Sequence, residues 1–435
     1  MTDRAGRRSA LALLAGVGLG VCASALVATA LVATGWAAPE RFSNTEGTRG
    51  PAVAASSTTL LPPRIAPLDA DGEQDNPDEA DPITGASGGV EAGPPVSLPG
   101  EGKIDQSGEL ARGSSPATAV PGGSPVPAGS AGANPAGQVS CPTATSSVRS
   151  ASELQQALDT AQAGDSIKIQ PGVYAGTFVV GRSGTASAPI FLCGAGDSVL
   201  DGGGIKEGYV LHLRSVQYWR LVGFTVRNGQ KGVVADATTN SIIQGLTVEG
   251  IGDEGLHLRS ASSYNTLSAN TVRRTGLRRD KFGEGIYVGS ATSNWGTYSQ
   301  GLPDRSDYNL VEKNVISETG SEAIDVKEGT TGGRIVANVL DGTGILSADS
   351  LIDVKGNGWI IEGNLVSHGP GEGIQTHQIL DGWGRDNIFR TNVVEVDGDG
   401  NHFYIHQPGT TNNRVMCDNR TSSGKAMRSN VTCVA

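Results

Sequence analysis

Aromatic residues are scarce in this chain of 435 residues: Phe, Trp and Tyr together make up 5%, and charged residues only 18%. Set beside 63 glycines, that scarcity argues against an ordinary helical globule. The glycines follow no Gly-X-Y period, which excludes collagen. Basic residues are also in deficit, 33 against 44 acidic, for a net charge of −11. A strongly basic nucleic-acid binder is therefore excluded as the default, and no nucleic-acid partner is expected. Cysteine is rare, and its spacing matches no zinc pattern. Cys141, Cys193, Cys417 and Cys433 form an even set in the later part of the chain, as structural disulfides of an oxidising compartment would. Cys417 and Cys433 are close enough in sequence to bridge, which leaves Cys141 with Cys193.

What is present is unevenly spread. Residues 1–38 pair Arg7 and Arg8 with an uncharged, almost unbroken apolar run from Ala10 to Ala38, ending in Trp36-Ala37-Ala38. A basic start, an apolar stretch and small residues at its end read as an export signal. The run is also long enough to span a bilayer, which takes about 20 residues, so a retained membrane anchor through 10–38 is a second expectation. Either way the protein is expected to be secreted or held at the cell surface. Residues 39–140 carry five basic and thirteen acidic groups, with seven acids and no base from Asp69 to Asp81. Such a segment buries too little apolar surface to offset its ordering entropy and reads as a disordered acidic linker.

Residues 141–435 repeat themselves. The strings VLHLRS (210–215), LHLRS (256–260), IYVGS (286–290), IDVK (324–327), IDVK (352–355), IQTH (374–377) and FYIH (403–406) alternate apolar with polar residues. That is the period of a strand with one buried face. In a second series Asn270, Asn314, Asn338, Asn364, Asn392 and Asn419 recur at one place, with Gly223 and Gly245 expected in register before them. Asn and Gly tolerate the left-handed backbone of a tight corner, and stacked Asn amides can bond one another. Short strands at this period, with a corner ladder, imply a solenoid rather than an immunoglobulin-like sandwich. The expected fold is all-β, a single-stranded right-handed parallel β-helix. An N-terminal capping helix is expected over residues 152–163, where Leu154, Ala157, Leu158 and Ala161 share one face.

The opening ASELQQALDTAQAGDSIKIQPGVY, followed by GTASAPIFLCG, resembles the start of the pectate-lyase-like β-helix proteins. It is most similar to the chondroitinase B and alginate lyase type. The resemblance spans residues 141–435 and implies the β-helix fold, with enzymes and binding proteins both represented on it.

In each strand the aliphatic residues point inward, so the alternate residues form outer columns. One column reads His257, Tyr287, Asp325, Asp353, Gln375, Tyr404, and the next reads Arg259, Gly289, Lys327, Lys355, His377, His406. Neighbouring coils are about 4.8 Å apart, so Asp325, Asp353, Lys327 and Lys355 should form a rectangle on a solvent-facing strand. Glu254, Glu284, Glu322 and Glu372 make a third, acidic column. The plainer reading is a solvated face whose charges neutralise one another. Against it, like charges are stacked, Tyr and His gather in the same columns, and long insertions (273–283, 291–308, 341–349, 378–386) surround these coils alone. Arg273, Arg274, Arg278, Arg279 and Lys281 should make one wall basic, suited to acidic sugars. Trp295, Tyr298 and Trp383 should offer flat faces to a pyranose.

These residues suit a lyase, or an epimerase, that takes the C5 proton of a uronate in an acidic polysaccharide. Lys327 is the expected base, its pKa lowered by Lys355, with His377, Tyr287 or Tyr404 returning a proton. Arg278, Arg279, Tyr287, Trp295, Trp383, Tyr404 and His406 are the expected sugar contacts. Ca²⁺ prefers oxygen ligands, which Glu322, Asp325 and Asp353 would supply together. The resemblance adds to this: chondroitinase-B-like lyases place acidic calcium ligands just before a catalytic Lys, and Glu322-x-x-Asp325-x-Lys327 is similar. In those lyases an Arg follows one coil later, where this chain has Lys355. The alternatives are a hydrolase using Asp325 and Asp353 as acid and base, or a non-catalytic carbohydrate-binding protein. A monomer is expected.

Overall fold

A computed structural model describes residues 138–206 and 208–435. The expected export segment and almost all of the linker, 1–137, lie outside the described residues. Among those described, no helix is long and apolar enough to cross a membrane.

Each repeat gives one short strand to each of three sheets, which contain eleven, nine and nine strands among the described residues. Every strand pairs in parallel with its counterpart one coil away. Thus Ile286–Val288 pairs with Ile324–Val326, that strand with Ile352–Val354, and that in turn with Ile374–Thr376. The molecule is a parallel β-helix. Its apolar residues alternate because only one face of each strand is inside: Ile324, Val326, Ile352, Val354 and Ile374 are fully buried in one continuous core cluster. At the first coil the helix Ala151–Thr160 adds Leu154 and Leu158 to that cluster. The Ser150 hydroxyl accepts the N–H of Glu153 and caps the helix. Gln155 exchanges two hydrogen bonds with the backbone of Val179. Disulfides join Cys141 to Cys193 and Cys417 to Cys433.

The asparagine ladder is present. The side-chain amide of Asn270 donates to Asn314, and so on through Asn338, Asn364 and Asn392 to Asn419, each bond 2.9 Å long. Each acceptor oxygen also takes the backbone N–H of the asparagine one coil earlier, as in Asn314 to Asn338 at 2.9 Å. Two details differ from expectation. Gly223 and Gly245 align with Ala269, one residue before Asn270, because Leu221, Ile243 and Leu267 are register partners. The left-handed residue is also that preceding one: Gly223, Gly245, Ala269, Lys313, Ala337, Gly363 and Thr391 have φ between 53° and 81°. The corner is thus turned by the residue before the asparagine. The asparagine is selected because its buried amide can donate and accept along the stack.

Candidate active site

The nine-stranded sheet that carries both IDVK strings holds the expected columns. His257, Tyr287, Asp325, Asp353, Gln375 and Tyr404 are successive register partners. They alternate with core aliphatics and so point outward. The expectation of an open face is corrected: Asp325, Lys327 and Lys355 are 1% exposed and Asp353 2%. Part of the cover comes from the insertion 291–308, which folds back over the end of the Lys327 strand. There the Thr292 N–H donates to Glu328 at 2.6 Å, and the Trp295 ring lies against Gly329. A solvated face is therefore not what this chain builds.

Within the buried rectangle the charges interleave. The Lys355 ammonium donates to both Asp325 oxygens, at 3.1 and 3.3 Å, and lies 3.3 Å from Asp353. Burial alone would lower the Lys355 pKa, but Asp325 and Asp353 outweigh it and hold the ammonium well above the ordinary lysine range. Lys327 approaches Asp325 at 3.1 Å and lies 5.4 Å from the centre of the Tyr287 ring. Burial pushes Asp353 up, yet Lys355 and the His377 ring, 2.8 Å away through Nδ1, hold it well below the usual carboxylate range. Asp353 thus orients His377. The His377 ring is in turn 5.6 Å from His406, so these two expected site residues are brought together.

The acidic column supplies a different trio from the one expected for a metal. Glu284, Glu322 and Asp325 bring carboxylate oxygens within 4.8 Å of one another, whereas Asp353 is turned to Lys355 and His377. Glu284, a member of the acidic column, takes the place expected for Asp353. Burial and then the neighbouring Asp325 raise Glu322 to about 7, against the opposing pull of Lys355. The Ser321 hydroxyl donates to it. This corner therefore gathers three carboxylates whose charge would be stabilised by an added cation. An all-oxygen set of that kind fits a hard divalent cation.

A second network, which the strings alone did not reveal, lies upstream on the same sheet. Arg259 is fully buried, donates to Asp236 at 2.7 Å and to the Tyr209 hydroxyl at 3.0 Å, and has its guanidinium 3.8 Å from the Tyr298 ring centre. Lys231 meets Glu254 at 3.0 Å. His257 packs edge-on against Tyr287, with ring centres 4.3 Å apart, and bonds the Gly289 carbonyl through Nε2 at 2.9 Å. Lys231, Glu254, His257, Arg259, Tyr287 and Tyr298 share the lining of one small pocket. Its signal was the outer-column position of His257 and Arg259.

The walls need three corrections. Arg273 and Arg274 do not face the cleft: Arg273 ends a strand of a different sheet, opposite Glu249, and both guanidiniums pair with that carboxylate. Arg278 and Arg279 both bond the fully buried Asp253, at 2.7 and 2.9 Å, and so are tied into the fold. Trp295 is buried and its indole donates to the Ser290 carbonyl, so it packs the insertion and offers no open face. Trp383, Tyr404 and His406 are half-buried.

No family model matches the chain. An alginate lyase from Paenibacillus sp. str. FPU-7, known as a solved structure, is 34% identical, with a TM-score of 0.60 over 66% of this chain and 98% of that one. Pectate lyase PEL9 of Emericella nidulans is 27% identical over 198 residues, 39% of this chain and 48% of the relative. The chain thus spans about half the length of that curated relative. Fold and relatives together define a β-helical polysaccharide lyase. The chain belongs to the pectate-lyase-like parallel β-helix lyases, with the Paenibacillus enzyme as a relative across nearly its whole length.

Proposed function

We propose that the chain is an exported lyase that eliminates across the C4–C5 bond of a uronate in an acidic polysaccharide. Alginate, the polymer in the name of the Paenibacillus relative, is the first substrate to test. The observation that carries this reading is the pair of buried lysines held against Asp325, at 3.1 Å each, at the centre of the outer column. Elimination needs the uronate carboxylate neutralised, the C5 proton removed, a C4=C5 double bond formed as the C4–O bond breaks, and a proton given to the departing oxygen. Lys355 is fixed as a cation and suits the first task. Lys327, the base expected from the sequence, is held against Asp325 at 3.1 Å and is given a supporting part. Its place beside the Tyr287 ring suits it to support charge on that phenol. In this reading Tyr287, wedged by His257, takes the C5 proton and returns it to the leaving oxygen. His377 and His406 contact the sugar further along the stack, and His377 is set by Asp353.

Calcium is proposed for Glu284, Glu322 and Asp325, where it would add positive charge for the substrate carboxylate. Every proton step above belongs to the chain's own residues. Export is proposed through residues 1–38, with 39–140 as spacer and 141–435 as the catalytic unit. The two disulfides support an oxidising destination.

The test is a panel of uronate polysaccharides, alginate first, followed at the absorbance of unsaturated ends, with chelator and added Ca²⁺ in parallel. Tyr287→Phe should lower kcat by about 10²- to 10⁴-fold while leaving the chain folded. Retained turnover in that variant removes Tyr287 from the proton path. Altered sugar composition without unsaturated ends identifies an epimerase instead. A chelator without effect on rate or melting temperature removes calcium and leaves the lyase reading standing.

A further inference from the structure

At the corner where each coil passes from the cleft sheet to the eleven-stranded sheet, one residue per coil is left-handed. Register makes these Tyr218, Asn240, Tyr264, Tyr308, Gly332, Gly358, Asp386 and Asn412, with φ between 53° and 69°. Asn, Asp and Gly are the residues this backbone favours, and five of the eight coils use them. A bulky aromatic there is strained. Tyr218, Tyr264 and Tyr308 are therefore retained against local preference.

Packing does not explain two of them. Tyr264 is 58% exposed and Tyr308 49%, yet their rings stack with centres 5.0 Å apart and planes 16° from parallel. The Cδ1–Cε1 edge of the Tyr308 ring lies so close to Gly332 that a side chain there would meet it at 2.6 Å. Each ring covers one face of the other, and the remainder of the pair is open to solvent. The pair stands where the insertion 291–308, which begins beside the cleft strand, rejoins the coil. Arg305 of that insertion is half exposed, pairs with Asp307 at 2.8 Å, and lies 5.9 Å from the Trp383 ring of the 378–386 insertion.

We propose that Tyr264 and Tyr308 form a sugar-stacking site outside the cleft, which holds a second stretch of the polysaccharide, with Arg305, three residues before Tyr308 in sequence, available for a uronate carboxylate. Stacked, exposed rings match the apolar face of a pyranose. An acidic polymer is the occupant because the chain is a polysaccharide lyase and Arg305, three residues before Tyr308 in sequence, has its side chain half exposed. The choice of polymer rests on the proposed function, so the experiment keeps the two separable.

The full chain carrying Tyr287→Phe, to stop cleavage, is run through native gels containing sodium alginate, polygalacturonate or a neutral β-glucan. It is compared with the same chain carrying also Tyr264→Asn and Tyr308→Asn. Asparagine is the residue that other coils place at this corner, so the melting temperature should hold or rise. Apparent affinity for the acidic polymer should fall about tenfold. Tyr308→Asn alone should give part of that loss. Unchanged retention in all three gels overturns the stacking site, as does a loss that follows only from a lower melting temperature. Absence of unsaturated products from the parent chain would instead overturn the lyase reading, and the gel comparison would still decide the stacking site.

Discussion

Two stacks run along this β-helix, and they solve the same problem in opposite ways. At one corner six asparagines repeat a single side chain, coil after coil. On the cleft sheet Asp325 sits directly above Asp353 and Lys327 in line with Lys355. An amide both donates and accepts, so identical amides reinforce one another, and the ladder extends without a partner of another kind. Identical charges repel, and the column holds only because Lys355 leans across to lie between Asp325 and Asp353. Repetition alone stabilises the corner. The cleft depends on interleaving, which leaves it rigid locally and intolerant of single losses.

That contrast can be broken at its most strained point. Replacing Lys355 with Met leaves two buried carboxylates in register with one remaining ammonium. Removing one partner of a buried ion pair typically destabilises by about 3–5 kcal/mol. Urea unfolding of Lys355→Met should show a loss in that range, larger than for any single ladder substitution. A loss below that of the ladder variant would mean that the column is held by its surroundings and not by interleaving.

The ladder comes next. Asn338 donates to the Val311 carbonyl at 3.0 Å and to Asn364 at 2.9 Å, and accepts from the backbone and side chain of Asn314. Asn338→Ala leaves buried donors and an acceptor without partners, at about 1–3 kcal/mol for each unsatisfied group. Partial relaxation brings the expected total to about 2–3 kcal/mol. The activity of the folded fraction should be unchanged, since the ladder does not face the cleft. A variant that unfolds normally but loses turnover would tie the corner to the site.

How far the two stacks could be read from the sequence follows the same division. The asparagines could be recognised because every one is the same residue at the same place. The residue that turns the corner could not, since Gly, Ala, Lys and Thr all occupy it and only the backbone unites them. The cleft column followed from alternation, a property of the strand itself. Its burial did not, because the length of an insertion says nothing about where the loop folds: 291–308 turns back over Lys327 and hides Trp295. Arg273 illustrates a register that was available but unused. Extending Thr247-Val248-Glu249 against Thr271-Val272-Arg273 places it opposite Glu249, on a different sheet from the cleft.

The smallest expected effect sharpens the comparison at the upstream end of the charged column, where His257 stays neutral. Burial, then the charges of Lys231 and Arg259, hold its pKa well below the ordinary histidine value of 6.5. The sign follows from proton counting. Above about 6.5 the ring is neutral in both folded and unfolded chains and contributes no pH dependence. Below it the unfolded chain binds a proton that the folded chain refuses, so stability falls as pH falls, by at most about 1.4 kcal/mol per unit. Glu254, which lies 3.6 Å away, is raised by its own burial, so it holds a proton more readily in the folded state and acts in the opposite sense. The measurement is therefore a difference: unfolding free energies of wild type and His257→Gln compared between pH 5 and 8. Wild type should lose stability relative to the variant on going below pH 6.5, and the gap should be flat above it. A gap that instead widens above pH 7 would mean that His257 is charged in the folded protein. The upstream end would then be interleaved like the Asp325 and Lys355 rectangle, and the column would be one continuous charged stack.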